Sequence, residues 1–393
     1  MTQWVRAIRR GWVVQDRVPG PDVDEFAEAT EVAAALAAAD DAGDTLLAVQ
    51  HPHRTPRALA GGLALSEVLP AARHALDRLR AGAYREVHDV VAPYRVDGPD
   101  GVAVGVLCLV DAAAVDRDGM SRVRHSEQVY QQVVDERAAV LTGLGCATSA
   151  AMLVPVGDGE HLTATVLSSI DALGAPSVSV TDSGGRTHLL WLLGPGEEQD
   201  AVLAAAARDP LLVADGNHRV AAAAAGDRPS LLALVTSGPQ LRVGAIHRAL
   251  VGTGLGAAEL AAAWRRQNLV VREVADPVPP TRTGIVTVRT ACAGLLVELP
   301  PPEPGEPLPR IDHGLVERVL IADALGIDPE GPQVHALPAG HPPGADVDAV
   351  LQLAPVPFAD VLAVHEQGRR MPRKSTYFTP KPRSGLLLAD LTE

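Results

Sequence analysis

Hydrophobic residues fall in short blocks along this chain, and their spacing alternates between the period of a strand and that of a helix. Leu65 to Arg80 puts Leu69, Ala72, Leu76 and Leu79 on one face with arginines between them, which predicts an amphipathic surface helix. His88 to Val96 and Val102 to Val110 read as two strands joined by Asp97-Gly98-Pro99-Asp100-Gly101, a hairpin loop. Thr45 to Gln50 reads as a strand ahead of the polar loop His51 to Pro56, and a helix is expected through Arg137 and Leu141. Residues 151–203 then give strand, helix and a hairpin made of Ser177 to Thr181 and Arg186 to Leu193. Alternation puts His188 and Trp191 of that hairpin on opposite faces, so both read as structural. Val243 to Leu250 forms a strand or bend, and residues 252–299 a helix followed by a small β segment. Beyond the Pro/Glu stretch Pro300 to Pro309, helices are expected from Asp312 to Leu325 and from Ala359 to Gln367.

The stretch with the most chemistry runs from Leu211 to Gly226. An apolar block, Leu211 to Ala214, meets Asp215-Gly216, then Asn217-His218-Arg219, then a run of alanines closed by Gly226. This predicts strand, tight turn and helix, and Leu231 to Val235 supplies a further strand, the size and order of a β-α-β element. The first turn of a helix has unpaired N–H groups and the positive end of the dipole, which suits a phosphate or carboxylate. Gly216 removes the Cβ that would block close approach, Asn217 and His218 can donate hydrogen bonds, and Arg219 offers a fork of donors. Asp215 could cap the helix or hold a divalent cation. Spacing alone favours equally a plain reading, with Asp215 as cap, Gly216 as turn residue and Arg219 on the surface.

Composition narrows the class. The 393 residues, 47% of them hydrophobic at a mean hydropathy of +0.11, are enough for two or more cores. Aromatics make up only 3%, so those cores must be built from Ala, Val and Leu; the Ala, Gly, Pro and Arg usage resembles that of a high-GC bacterium. A formal charge of −14 gives no attraction to nucleic acid, and a DNA-binding role is disfavoured. No apolar stretch reaches the ~20 residues that span a bilayer, and Met1 to Arg10 lacks a signal-peptide core, so the expected location is cytoplasmic, with no membrane partner. Cys108, Cys146 and Cys292 lack metal spacing and are expected to pack.

Ala214-Asp215-Gly216-Asn217-His218-Arg219, His247-Arg248, and the tail Met371 to Pro382 followed by Gly385-Leu386 together resemble a known set. The chain looks like a member of the domain-of-unknown-function family numbered ten-fifteen. That family usually reads Ala-Asp-Gly-His-His-Arg, a later His-Arg, and a Met-Pro-x-Lys-Ser-Thr-x-Phe-x-Pro-Lys tail. Asn217 stands where it has its first His, and Ser126 where it has a His before Glu127, with the actual His125 one position earlier. The Asp-Gly-x-His-Arg turn is also similar to the nucleotide-binding box of the ParB and sulfiredoxin superfamily, which includes free-serine kinases.

The resemblance implies an α/β (mixed α+β) chain with a ParB/sulfiredoxin-like nucleotide-binding core and additional β and helical segments. The expected division is a main unit over 1–299, a linker at 300–309, and a helical segment with a basic tail over 310–393 that packs back on the site. The implied activity is phosphoryl transfer from ATP or ADP, with Mg²⁺, to a small hydroxylated molecule, first of all free L-serine giving O-phospho-L-serine. Glu127 would take the hydroxyl proton, Asp215 would hold the metal, and His218 would join them as a catalytic group. Gly216, Asn217, His218, Arg219, His247, Arg248, Lys374, Ser375 and Thr376 would bind the nucleotide. The alternative is a regulator that binds a nucleotide or phosphometabolite without turnover. Self-association is left open.

Overall fold

The computed structural model describes residues 3–23, 29–38, 44–157, 159–226, 229–237, 241–302 and 304–392. The chain is mixed α/β, as its pattern predicts, and contacts divide it into two units: residues 1–125, 129–241 and 379–393, and residues 126–128 and 242–378. The break thus falls at 241/242 rather than at 300–309. Linker-like composition did not prevent strands on either side of that stretch from pairing in one sheet: Ile246–Val251 pairs with both Val334–Pro338 and Val347–Gln352.

Seven elements of the first unit frame the site: β1 (Gly101–Asp111), α1 (Gln131–Leu144), β2 (Ala151–Pro155), α2 (Gly159–Leu173), β3 (Leu211–Asp215), α3 (Asn217–Ala224) and β4 (Ser230–Ser237). They belong to a nine-stranded sheet in the order Val123–Arg124, β3, β2, β4, β1, Ala92–Gly98, Thr187–Leu190, Val178–Thr181, with Val5–Arg6 also on β1. Alternate residues of β4 enter opposite cores. Leu232 and Leu234 join one with Leu107 and Leu109, while Leu231, Ala233 and Val235 join the other with Val106 and Cys108. Burial on both faces is why these strands read as unbroken apolar runs.

The order strand, helix, strand around Gly216 is as expected, but the unit is not a parallel β-α-β. β3 is antiparallel to β2 and β4 is parallel to it, so β3 and β4 oppose each other with β2 between them. The eight residues of α3 span about 12 Å, against about 17 Å for the five residues of β3. So short a helix does not return the chain to the edge where β3 began.

A second, four-stranded sheet of the first unit joins Tyr84–Val90, Ile8–Val14, Leu387–Asp390 and Cys146–Ala147. Thr45 to Gln50, expected as a strand, is instead the helix Leu46–Gln50, because the Thr45 hydroxyl caps it by accepting the Ala48 N–H at 3.2 Å. Cys108 and Cys146 are buried as expected; Cys292 is exposed, since it lies in a bend between two strands of the second unit.

The second unit is a six-stranded, wholly antiparallel sheet, ordered Val270–Val274, Gly294–Glu298, Ile285–Thr290, Val347–Gln352, Ile246–Val251, Val334–Pro338. Trp264, Val286, Leu295, Leu320 and Leu351 fill its core. The helix expected from Asp312 starts as one α-turn, Asp312–Leu315, and continues as a π-helical stretch, Val316–Asp323. Among the described residues no helix is long and apolar enough to cross a membrane.

Candidate functional site

The residues expected to share one site fall into both units: Asp215 to Arg219 in the first, and Glu127, His247, Arg248 and Lys374 to Thr376 in the second.

In the first unit, β3 carries a bulge. Val213 faces Leu153 and Asp215 faces Met152, so Ala214 is the extra residue and the end of the strand is turned. Gly216 follows in the left-handed region at φ +93°, as the residue that begins α3. A Cβ there would lie 2.7 Å from Arg219 Nε and 3.1 Å from the Ala151 side chain, so only glycine lets Arg219 pack against the turn. Arg219 Nη2 pairs with Asp215 Oδ2, and Lys381, from the returning tail, places Nζ 2.8 Å from Asp215 Oδ1. Two cations and one carboxylate thus stand at the positive end of α3, a net positive cradle for an anion.

Asn217 is buried, and its Oδ1 lies 3.2 Å from His125 Nδ1. A carbonyl oxygen accepts, so this bond places a ring proton on Nδ1. Asn217 therefore orients the ring of a histidine 92 positions earlier. His218 turns instead to the start of α1. Its Nε2 accepts the Tyr130 N–H at 3.0 Å, and its ring stacks on Tyr130 at 6.0 Å with 2° between planes. Both interactions couple α3 to α1.

A metal ion held by the protein alone does not fit here. Both Asp215 oxygens already face cations, and among the described residues no three His, Cys, Asp or Glu groups converge on a metal position. Phosphate oxygens fit better, since the positive end of α3 and the cations beside it suit negative charge.

In the second unit Arg248 is buried, 3% exposed, and its donors are engaged. Nε and Nη2 hold Glu317 Oε1 at 2.9 and 2.7 Å, Nη2 also bonds the Arg373 carbonyl at 3.0 Å, and Nη1 the Lys374 carbonyl at 3.1 Å. This guanidinium clamps the tail, which takes the place of the phosphate contacts expected of it. His247 accepts the Leu353 N–H on Nδ1 at 3.1 Å, and burial with the Arg248 charge lowers its pKa to about 4. It is a neutral structural group.

Glu127 holds the same tail from its other end. Its Oε1 receives the N–H groups of Ser375 and Thr376 at 3.2 and 3.1 Å and the Thr376 hydroxyl at 2.8 Å, while Oε2 receives the Lys374 N–H at 3.1 Å. With four donors on its two oxygens the carboxylate is occupied by the tail, so the residue expected as a base is a tether here. Ser375 is fully buried and gives its hydroxyl to the Pro372 carbonyl at 2.7 Å, and Lys374 sits at φ +49°. The motif Met371 to Thr376 thus spells a fixed loop.

Sequence reasoning gave no role to Glu317, Tyr130 or the pairing of Lys381 with Asp215. The lysine was visible as charge beyond the motif, but nothing in the sequence marked its partner.

A family model described as "Protein of unknown function (DUF1015)" matches residues 66–300. No curated protein matches the chain. Solved structures similar to it include a free serine kinase in complex with AMP, at 14% identity, covering 71% of this chain and 92% of that one, with a TM-score of 0.38. Another is a conserved hypothetical protein from Pyrococcus furiosus, at 13% identity over 71% and 95% of the two chains and a TM-score of 0.38. SbnI with a C-terminal truncation, from Staphylococcus aureus, is similar at 11% identity over 72% and 87%, with a TM-score of 0.41.

Proposed function

The chain belongs to the family "Protein of unknown function (DUF1015)", and from the turn at Asp215 to Arg219 we propose that it is a nucleotide-dependent phosphotransferase acting on a small hydroxylated metabolite. Free L-serine going to O-phospho-L-serine is the first reaction to test. The reading is carried by Gly216, left-handed at the start of α3 with Arg219 and Lys381 beside it. The likeness of Asp-Gly-x-His-Arg to a nucleotide-binding box supports it.

ATP or ADP, when bound, supplies the phosphoryl group. Gly216 and the first N–H groups of α3 receive its phosphate oxygens, and Arg219 and Lys381 offset the charge that builds on them. The acceptor oxygen bonds to the terminal phosphorus as the bond from phosphorus to the bridging oxygen breaks. The hydroxyl proton passes to His125, which Asn217 orients through Nδ1. No step is routed through a metal ion, since Asp215 is committed to its two cations.

That same saturation of Asp215 favours the second reading, a nucleotide- or phosphometabolite-binding regulator without turnover. Phosphorus NMR of the protein with Mg²⁺, ATP or ADP, and serine, threonine or homoserine separates the two. A new phosphomonoester resonance that disappears in His125→Ala supports the phosphotransferase. Stabilisation by ADP without any product supports the regulator, no response to nucleotide overturns the phosphotransferase, and no response to either nucleotide or O-phospho-L-serine overturns both.

A further inference from the structure

A cavity of ≈ 60 Å³ opens in the first unit, lined by side chains of α1, α3 and β4 and by Gln50 and residues 146–149. Space of that size takes several waters, so it suits a small molecule and not a nucleobase with its sugar. Its apolar wall includes Leu141, Leu144 and Leu232. Its polar wall has Arg137 and Arg219, with no acidic residue in the lining. Gln50 and Thr148, bonded to each other at 3.2 Å, add a buried amide and hydroxyl. Nearby His51 adds no positive charge, since burial and the Arg137 guanidinium lower its pKa to about 3. Arg219 belongs to both places: it lines the cavity and pairs with Asp215 beside Gly216.

We propose that this cavity is the acceptor site, and that the acceptor is a small hydroxylated carboxylate. Its carboxylate pairs with Arg137, as a planar guanidinium suits a planar anion, its carbon chain lies on Leu141 and Leu144, and its hydroxyl points toward Arg219 and the phosphate turn. This rests on the phosphotransferase reading for its use, but the binding itself can be measured without turnover.

The test is ligand-observed NMR titration of the full chain with L-serine, L-threonine and 3-hydroxybutyrate, against L-serine methyl ester and ethanolamine, with ADP titrated separately. At least one acid is expected to bind, with ester and amine at least about tenfold weaker. Arg137→Gln is expected to weaken that acid by about tenfold and leave ADP unchanged, with Arg137→Lys intermediate. Leu141→Trp, which fills the space, abolishes acid binding; circular dichroism confirms that each variant folds. Equal binding of acid and ester, binding indifferent to both Arg137→Gln and Leu141→Trp, or no binding of any acid overturns the proposal. Acid binding without ADP binding keeps the cavity and removes the phosphotransferase, and ADP binding without acid binding does the reverse.

Discussion

Lys381 Nζ stands 2.8 Å from Asp215 Oδ1 while Arg219 Nη2 holds the other oxygen of that carboxylate, so a tail residue completes the charge of a turn built 166 positions earlier. The carboxylate orients both cations and cancels only one of them. Lys381→Met leaves the pair Asp215 with Arg219 and removes the excess. The expected result is ADP binding weakened about three- to tenfold, with a flatter salt dependence, because one cation near phosphate contributes about 1 kcal/mol in partly exposed settings. Without ligand the melting temperature should change little, since a partly exposed ion pair adds about 0–1 kcal/mol. Titrations of ADP at low and high salt decide it, and unchanged affinity at both would remove Lys381 from the anion site.

Gly216 is the position where a single methyl group tells most. Alanine there meets the left-handed penalty at φ +93° and places Cβ against the Arg219 guanidinium. The cost should be about 1–3 kcal/mol. Stabilisation by ADP should be lost as well, because Arg219 must move from its place beside the turn. Thermal melts with and without ADP measure both. A variant that melts lower yet still responds fully to ADP would place the nucleotide elsewhere.

Glu127 separates a tether from a base. In Glu127→Gln one of the two positions facing tail N–H groups becomes an NH₂ group, so at least one of four hydrogen bonds is replaced by donor facing donor. The expected loss is about 1–3 kcal/mol of tail order. Trypsin cleavage after Arg373 or Lys374 should accelerate relative to the unaltered chain. If cleavage stays slow while phosphoryl transfer stops, Glu127 is the base after all and the tether reading fails.

What the sequence made legible and what it hid divide along the range of the interactions. β3, α3 and β4 were readable because each is an apolar block whose burial shows in its own residues, and Gly216 punctuates them. The placement of β2 between β3 and β4 was not, since strand partners are chosen by pairing across the whole unit. Thr45 to Gln50 carried a strand-like run of apolar residues, yet one hydroxyl at its start capped it as a helix. Arg248 illustrates the limit for sites. A His-Arg pair in an acidic chain invites a phosphate, but its partners, Glu317 and the carbonyls of Arg373 and Lys374, lie 69 to 126 positions away. The tail motif was recognisable as a motif, and its conversion into a loop held by Glu127 from 247 to 249 positions away was beyond local reading.

The second unit carries two buried histidines that should make the protein acid-sensitive. His247 has its pKa lowered to about 4 by burial and by the charge of Arg248. His313, which lies against the Ile246 carbonyl at 2.8 Å, is lowered to about 3 by burial and then by Arg248. Both are neutral when folded and take up a proton when unfolded below about pH 6.5. The unfolded state thus binds more protons between about pH 4 and pH 6.5, so stability is full above that window and falls as pH drops through it. At pH 5 the His247 contribution alone should be a loss of about 2 kcal/mol, at 1.36 kcal/mol per unit. His247→Asn keeps an acceptor for the Leu353 N–H and removes the titration. Urea unfolding from pH 7 to pH 5 should therefore show a shallower fall in this variant, whatever its stability at pH 7. Parallel curves for variant and unaltered chain would mean that His247 does not control the acid response.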